Sequence, residues 1–258
     1  MADTLPDTLN SLLHVREFPF EVIVINDGSS DSIEEVIEIW THTFSRISNI
    51  DFKTVHQENK GRAEALNEGA KIAQGEYLNF LDADDIIDPN EILKLWECTN
   101  NDSFSYVIGQ FKIVNASGDL VLKRPLDSDL NKEALIYKLA YAPLSPLTLN
   151  AFLIKREFFF KIGGLDPINL KSEDKDLVIR LLKSNGKFRI CKSFHYIYKK
   201  HDLPRKKIVS KRIEWMKYRQ QMISKNFSGG RKILSKFLQF KYDVAKLIYE
   251  IVFKYRVR

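Results

Sequence analysis

Three aspartates stand within four residues of one another in the segment Asp82-Ala83-Asp84-Asp85. Carboxylates this close repel one another at neutral pH, and a divalent cation would remove that repulsion. Oxygen ligands suit Mg²⁺ or Mn²⁺, which typically bind through one or two carboxylates together with substrate phosphates. The same residues would also form a solvated acidic turn ahead of a helix that Pro89 opens. The spacing alone leaves both interpretations open.

Another aspartate follows an apolar run. Residues 20–25 are mostly apolar and rich in β-branched side chains, which is typical of a buried strand, and they lead into Asn26-Asp27-Gly28. If Asp27 and Asp82 both follow strands of one parallel sheet, they lie at the edge where such sheets bind ligands. By itself, the segment around Asp27 is equally consistent with a plain turn.

The elements that must position these aspartates alternate between strand and helix. Apolar, β-branched runs predict strands over residues 20–25, 50–56 and 77–81. Helical periodicity predicts helices over residues 5–13, from 33, over 62–73 and from Pro89, with Ser32 and Glu35 as a capping box. This alternation predicts an α/β fold with a mostly parallel mixed sheet flanked by helices.

Beyond Cys98 the alternation is looser. Strands are predicted over residues 106–114, 120–123, 151–154 and 188–198, and helices over residues 131–141 and 172–184. After Pro204 the pattern is helical. We therefore expect a catalytic or binding domain over residues 1–204 and a helical appendage over residues 205–258.

Three segments, in this order, resemble the nucleotide-binding half of inverting, family 2-type glycosyltransferases with the GT-A fold. They are residues 21–31 (EVIVINDGSSD), 57–69 (QENKGRAEALNEG) and 75–85 (GEYLNFLDADD). The resemblance covers about residues 4–205. It implies an additional apolar strand ahead of the first predicted helix, at a position before the start of this sequence.

The resemblance also implies roles for individual residues. Asp27 would contact the base of a nucleotide sugar, and Asp82 would face the ribose or the sugar. Asp84 would hold the Mg²⁺ or Mn²⁺ that bridges the two phosphates. The turn near the nucleotide would include Lys60, Gly61 and Arg62.

The second half of the sequence supplies a candidate base. Residues 161–166 and 172–182 resemble the acceptor-side segment of the same family, and by that match Asp174 is the general base. An inverting transfer needs one carboxylate to take the proton from the acceptor hydroxyl. The other interpretation is that Glu173, Asp174 and Asp176 only complement the positive end of a helix dipole.

His201 lies where related enzymes often place a histidine on the metal or the diphosphate, and it is the second candidate metal ligand. A surface histidine in a basic loop is the alternative. From Lys199 to Arg258 the chain has 18 basic and 4 acidic residues. Apolar residues at helical spacing predict a basic amphipathic helix, which would lie on an anionic membrane, pack on the first domain or dimerise. No motif for nucleic acid accompanies this charge.

Composition excludes several classes of protein. With 258 residues, 44% of them hydrophobic, the chain is neither disordered nor fibrous. Two cysteines, Cys98 and Cys191, are too few for a disulfide framework. Neither a signal peptide nor a membrane span is apparent in the sequence. We therefore expect a cytoplasmic protein, with peripheral contact to the inner face of the membrane as an open alternative.

These observations lead to one hypothesis and one rival. The hypothesis is a metal-dependent, inverting glycosyltransferase that moves a sugar from a nucleotide-diphosphate sugar to a hydroxyl of a glycan or lipid-linked acceptor, in polysaccharide or glycolipid synthesis. The rival is a non-catalytic nucleotide-binding or scaffold protein that keeps the fold and has lost turnover.

Overall fold

The computed structural model describes residues 1–99, 104–141, 147–168 and 173–200. His201 and the predicted appendage over residues 205–258 therefore lie outside the described residues. The helices are α1 Leu5–Leu12, α2 Ile33–Phe44, α3 Arg62–Ile72, α4 Pro89–Glu97, α5 Lys132–Tyr141, α6 Arg156–Lys161 and α7 Glu173–Lys183. The strands are β1 Phe20–Asp27, β2 Ile50–Gln57, β3 Tyr77–Leu78, β4 Ile86–Ile87, β5 Tyr106–Ile108, β6 Phe111–Val114, β7 Leu120–Arg124, β8 Phe152–Lys155, β9 Phe188–Ile190 and β10 Tyr196–Lys199.

The strands form three sheets within the described ranges. β1 and β2 pair in parallel, a second sheet has the order β3-β8-β5-β9, and a third has the order β4-β10-β6-β7. The β5–β9 and β6–β10 pairs are also parallel, and the remaining pairs are antiparallel. The predicted α/β fold with mixed strand directions and flanking helices is confirmed. The strands form separate sheets, however, and more of the strand pairs are antiparallel than the sequence predicts.

The largest hydrophobic core lies around β5, β8 and α7. Tyr106, Phe152 and Phe159 are fully buried there, together with most of the apolar face of α7. A smaller core packs α1 and α2 against one face of β1. The helices thus cover the strands whose carboxyl ends carry the acidic residues.

Several predicted elements need correction. The predicted strand over residues 77–81 pairs only at Tyr77–Leu78, because the Asn79 side chain then donates to the carbonyl oxygens of Asn150 and Phe152. The Ser32 side chain makes no capping hydrogen bond, and its ψ of 38° lies outside the extended region typical of an N-cap.

Two predicted long strands are each split between sheets. Residues 106–114 divide into β5 and β6, which belong to different sheets. Gly109 lies between these strands, and a Cβ atom there would lie 2.6 Å from the ring of His195. Residues 188–198 divide in the same way into β9 and β10. A hydrophobic run in the sequence does not reveal such a change of sheet.

The two cysteines, for which the sequence predicts no pairing, form a disulfide. Cys98 and Cys191 are 93 residues apart in sequence, yet their Cα atoms are 6.3 Å apart. The bond joins the end of α4 to the residue after β9, a proximity that only the fold creates. In the described part of the chain, no helix is both long and apolar enough to cross a membrane.

Candidate active site

The carboxyl end of β1 delivers Asp27 to a network of hydrogen bonds. Its carboxylate accepts from the backbone N–H groups of Lys60 at 2.8 Å and Gly61 at 2.9 Å, and from the Gln57 side chain at 2.7 Å. Partial burial acts to raise the pKa of Asp27, but these hydrogen bonds outweigh it and lower the pKa. An ionised Asp27 therefore holds the end of β2 and the start of α3 beside the end of β1.

Glycine at position 28 permits this arrangement. Gly28 has a φ of 71°, and a Cβ atom there would lie 2.9 Å from the backbone nitrogen of Asn59. A larger residue would be strained and would also push the two loops apart. Gly61 has a φ of 90° and stands immediately before α3, so it turns the chain into the helix.

Arg62, the first residue of α3, joins two acidic segments. Its Nε and Nη2 atoms donate to Oδ1 of Asp82 at 3.1 and 2.7 Å, and its Nη1 atom donates to Oε1 of Glu173 at 3.1 Å. Burial acts to lower the pKa of Arg62, but Asp82, Asp174 and Glu173 outweigh it and raise the pKa. A charged guanidinium therefore lies between the acidic segment after β3 and the start of α7.

Asp174 lies in the first turn of α7, next to Glu173. Because Arg62 bonds both Asp82 and Glu173, and interacts electrostatically with Asp174, the strand-end aspartates and the carboxylates of α7 lie on the same side of the molecule. From the sequence, Glu173 is expected only to complement the helix dipole. Its link to Arg62 spans 111 residues and had no local signal.

The three aspartates of the acidic segment have different surroundings. Asp82 and Asp84 line a cavity of about 820 Å³ that Asp27 and Arg62 also line. Asp85 is buried and accepts from the Tyr196 hydroxyl and from the Lys199 backbone N–H at 2.8 Å. Burial above all, with repulsion from its acidic neighbours, raises the pKa of Asp85 to about 7. Asp85 therefore connects the segment to β10 and does not face the cavity.

The acceptor-side segment is held to α3 and α7 by side chains. Asn67 of α3 exchanges two hydrogen bonds with the backbone of Leu165, at 2.8 and 2.9 Å. Arg180 of α7 donates to the carbonyl oxygens of Ile162 and Gly164, both at 2.7 Å, and bonds the buried Asp176 at 2.8 Å. These contacts fix the glycine turn beside the helix that carries Asp174. Asp176, in the first turn of α7, contributes to this arrangement through its bond with Arg180.

The described residues supply only part of the ligand set that a divalent metal needs. The described residues include no cluster of three or more acidic, histidine or cysteine side chains arranged to hold a metal ion. Asp82 and Asp84 both line the cavity, Asp82 also accepts from Arg62, and Asp85 is buried. Since Mg²⁺ binds through one or two carboxylates plus substrate phosphates, Asp84 and Asp82 are the described residues that could contribute to such a site.

The chain is similar in sequence to proteins named as a polysaccharide synthase and a glycosyltransferase. Over 121 residues the chain is 41% identical to a poly-β-1,6-N-acetyl-D-glucosamine synthase of Staphylococcus epidermidis. The matched region is 46% of this chain and 28% of the synthase. The chain is also 29% identical over 184 residues to a protein of Haemophilus influenzae named as an uncharacterized glycosyltransferase. This match covers 69% of this chain and 58% of that protein. The chain thus spans less than a third of the length of the synthase.

Solved structures show the same fold. A crystal structure of S. aureus TarS 1–349 in complex with UDP-GlcNAc matches with a TM-score of 0.62 and 17% identity, over 97% of this chain and 70% of TarS 1–349. The complex of the same TarS fragment with UDP matches with a TM-score of 0.59 and 18% identity, over 93% of this chain and 67% of that one. The sequence model described as glycosyl transferase family 2 matches residues 2–165. The chain therefore belongs to glycosyl transferase family 2.

Proposed function

We propose that this chain transfers a sugar from a nucleotide-diphosphate sugar to an acceptor hydroxyl, with inversion at the anomeric carbon. The observation that carries the proposal is the position of Arg62, which joins Asp82 on the donor side to Glu173, the neighbour of Asp174. Membership of glycosyl transferase family 2 supports the class of reaction. The name of the Staphylococcus epidermidis relative supports a role in polysaccharide synthesis.

A uridine diphosphate sugar is the proposed donor. TarS crystals contain UDP and UDP-GlcNAc, and this chain shares the TarS fold. In this chain Asp27 would receive the base and Asp82 the ribose or the sugar, since both line the same cavity. Lys60, Gly61 and Arg62 would border the nucleotide, because the first two bond Asp27 and the third bonds Asp82.

Different residues would have different roles in an inverting transfer. The acceptor oxygen attacks the anomeric carbon from the face opposite the leaving group, the bond from that carbon to the diphosphate breaks, and the acceptor proton passes to the carboxylate of Asp174. The charge of Arg62 keeps Asp82 and Glu173 in place around the reacting groups. Mg²⁺ or Mn²⁺ held by Asp84 would supply charge that stabilises the departing diphosphate.

A donor screen tests this function. The purified chain is mixed with UDP-, GDP- and dTDP-sugars in Mn²⁺, and both thermal stabilisation and release of nucleoside diphosphate are measured. A bound donor raises the stability of the folded state by mass action. We expect stabilisation and release with a UDP-sugar, and loss of release in EDTA. Failure of every donor to stabilise the chain or to be consumed would contradict the proposal.

One observation favours the rival, a nucleotide-binding protein without turnover. Within the described residues β1 pairs with β2 alone, so the sheet is interrupted next to Asp27. Titration of UDP separates the two functions. Binding of UDP with no release from any UDP-sugar would establish the rival, whereas release from one of them would exclude it.

A further inference from the structure

A hairpin forms one end of the third sheet. β6 and β7 pair antiparallel, and residues 115–119 join them. The Asn115 N–H donates to the Asp119 carbonyl oxygen at 3.0 Å, and the Asp119 N–H donates to Oδ1 of Asn115 at 2.8 Å, so the turn is closed from both sides. Within the described ranges β7 pairs with β6 alone. β7 is therefore an edge strand that a well-defined turn holds in place.

Three consecutive apolar residues of β7 are exposed. Leu120 is 54% exposed, Val121 51% and Leu122 37%. Other exposed apolar residues in the described part of the chain, such as Ile39 on α2 and Tyr137 on α5, have no exposed apolar neighbour in sequence. Single exposed apolar residues are ordinary, whereas a contiguous group marks a surface that binds something. We call residues 120–122 the β7 patch.

The patch continues across the sheet. Leu122 is in register with Ile113 of β6, and Ile113 is in register with Tyr198 of β10, which is 40% exposed. Side chains two residues apart in a strand point to the same face, and Tyr196, two residues before Tyr198, bonds Asp85 of the acidic segment. The row from Leu122 to Tyr198 thus lies on the face of the sheet that contacts the acidic segment.

Positive charge lies close to the patch. Lys123 directly follows it and is exposed. Val114 of β6 pairs with Leu120, and its carbonyl oxygen accepts from the N–H of Lys200 at 2.8 Å. The region over residues 199–258, with 18 basic and 4 acidic residues, therefore begins at the end of the sheet where the patch lies.

An apolar patch beside many cations suits an anionic membrane. Such a surface takes up apolar side chains at the boundary between headgroups and acyl chains, and it attracts each nearby lysine or arginine. A strand from a second chain fits β7 less well, because the register between β6 and β7 shifts between Ile113 and Val114 and Lys123 lies on the free edge. Irregular register and edge lysines both hinder the addition of a strand.

We propose that the β7 patch docks this chain on an anionic membrane, with Leu120, Val121 and Leu122 at the level of the headgroups and the basic residues of 199–258 adding attraction. The patch is separate from the cavity that the donor would occupy, since no residue of the hairpin lines that cavity. If the proposed transferase function holds, docking would bring the acidic segment close to an acceptor anchored in the same membrane. That consequence rests on the proposed function, whereas the docking does not.

Vesicle flotation tests the docking on the full chain. The vesicles contain equal parts of phosphatidylglycerol and phosphatidylcholine, or phosphatidylcholine alone. We expect at least about tenfold stronger binding to the anionic vesicles, and a loss of binding at high salt. The double variant Leu120→Gln with Leu122→Gln should bind anionic vesicles at least roughly tenfold more weakly, because two apolar side chains no longer enter the interface. Ile39→Gln, at a position that is 63% exposed on α2, should bind like the wild-type chain.

Hydrogen exchange measured by mass spectrometry locates the contact without any substitution. With anionic vesicles, exchange in residues 115–124 should become several-fold slower, and exchange in α2 should not change. Circular dichroism shows whether the double variant and Ile39→Gln remain folded.

Three results would overturn the proposal. One is that the wild-type chain does not bind anionic vesicles, or binds phosphatidylcholine equally well. Another is that the double variant binds as tightly as Ile39→Gln and residues 115–124 keep their exchange rates, which would assign the binding to another surface. The third is a dimer in analytical ultracentrifugation that protects residues 115–124 without lipid and dissociates in the double variant, which would assign the patch to a second copy. None of these readouts uses a sugar donor, so failure of the docking and failure of the proposed transferase function are distinguishable.

Discussion

Arg62 donates two hydrogen bonds to a single carboxylate oxygen of Asp82, at 2.7 Å from Nη2 and 3.1 Å from Nε. Its remaining terminal nitrogen donates to Glu173, the first residue of α7. One guanidinium therefore fixes the distance between the segment that would bind the donor and the helix that carries Asp174. The planar guanidinium of arginine presents several N–H donors that can reach two carboxylates at once, whereas the single ammonium of lysine does not match this arrangement.

Replacement of Arg62 should weaken catalysis strongly. Hydrogen bonds to charged groups contribute about 1.5–3 kcal/mol, so Arg62→Ala should lower kcat/KM for the donor by roughly 10- to 100-fold. Arg62→Lys should restore only part of this loss, because an ammonium cannot contact both carboxylates in the same way. Steady-state release of UDP measures the effect. Arg46→Ala, on an exposed residue after α2, is the control; an Arg62→Ala variant as active as that control would refute the role of Arg62.

Replacement of Gly28 should destabilise the turn around Asp27. Gly28 and Gly118 both have positive φ, at 71° and 87°, but only at Gly28 would a Cβ atom meet the backbone, 2.9 Å from the nitrogen of Asn59. Gly28→Ala should therefore cost about 1 kcal/mol more than Gly118→Ala. Urea denaturation of the two variants measures this difference. Equal stability would show that the close approach to Asn59 is unimportant.

Local patterns in the sequence predicted the first half of the fold well. The bounds of β1, β2 and α4 follow from apolar periodicity and from Pro89, and the observed elements begin at or next to the predicted residues. The resemblance placed Asp27, Asp82 and Asp84 around one cavity, and the structure brings them there. Their roles in binding and catalysis stay predictions.

The remaining features depend on contacts between distant residues. The Cys98–Cys191 bond and the contact of Arg62 with Glu173 join parts of the chain that are 93 and 111 residues apart. Neither has a signature in the local sequence. Residues 106–114 divide between two sheets next to a close contact of Gly109 with the ring of His195, 86 residues along the chain, and periodicity reveals neither feature.

The buried His195 should make stability depend on pH. Complete burial lowers the pKa of His195 from 6.5 to about 4, against the opposing effect of hydrogen bonds to the backbone of Asn150 and Ser193. Between pH 4 and 6.5 the unfolded chain binds a proton at this residue and the folded chain does not. The contribution of His195 to the free energy of unfolding is therefore lost as pH falls through this window and is complete above it.

Substitution isolates this contribution. His195→Asn should show a smaller increase in the free energy of unfolding between pH 4 and 6.5 than the wild-type chain. Urea denaturation at several pH values provides the slope. His42→Asn, on an exposed position of α2, should keep the wild-type slope. If His195→Asn also keeps that slope, His195 is not the group responsible.

Asp84 should control the affinity for the divalent cation. Mn²⁺ binding in the presence of UDP can be followed by electron paramagnetic resonance, which needs no turnover. Asp84→Asn removes a charged oxygen ligand and should weaken Mn²⁺ binding at least about tenfold. Asp3→Asn, at an exposed position near the amino terminus, should not change it. Unchanged Mn²⁺ affinity in Asp84→Asn would remove Asp84 from the metal site.

The most direct test of the proposed function separates donor binding from sugar transfer in Asp174→Asn. The variant keeps the size of the side chain but loses the carboxylate that would accept the acceptor proton, and general-base catalysis typically contributes about 10²- to 10⁴-fold. Asp127→Asn, at an exposed position, is the matched control. We predict that Asp174→Asn binds the UDP-sugar with wild-type affinity in calorimetry while its kcat falls by at least about 100-fold. Wild-type kcat in Asp174→Asn would contradict the account.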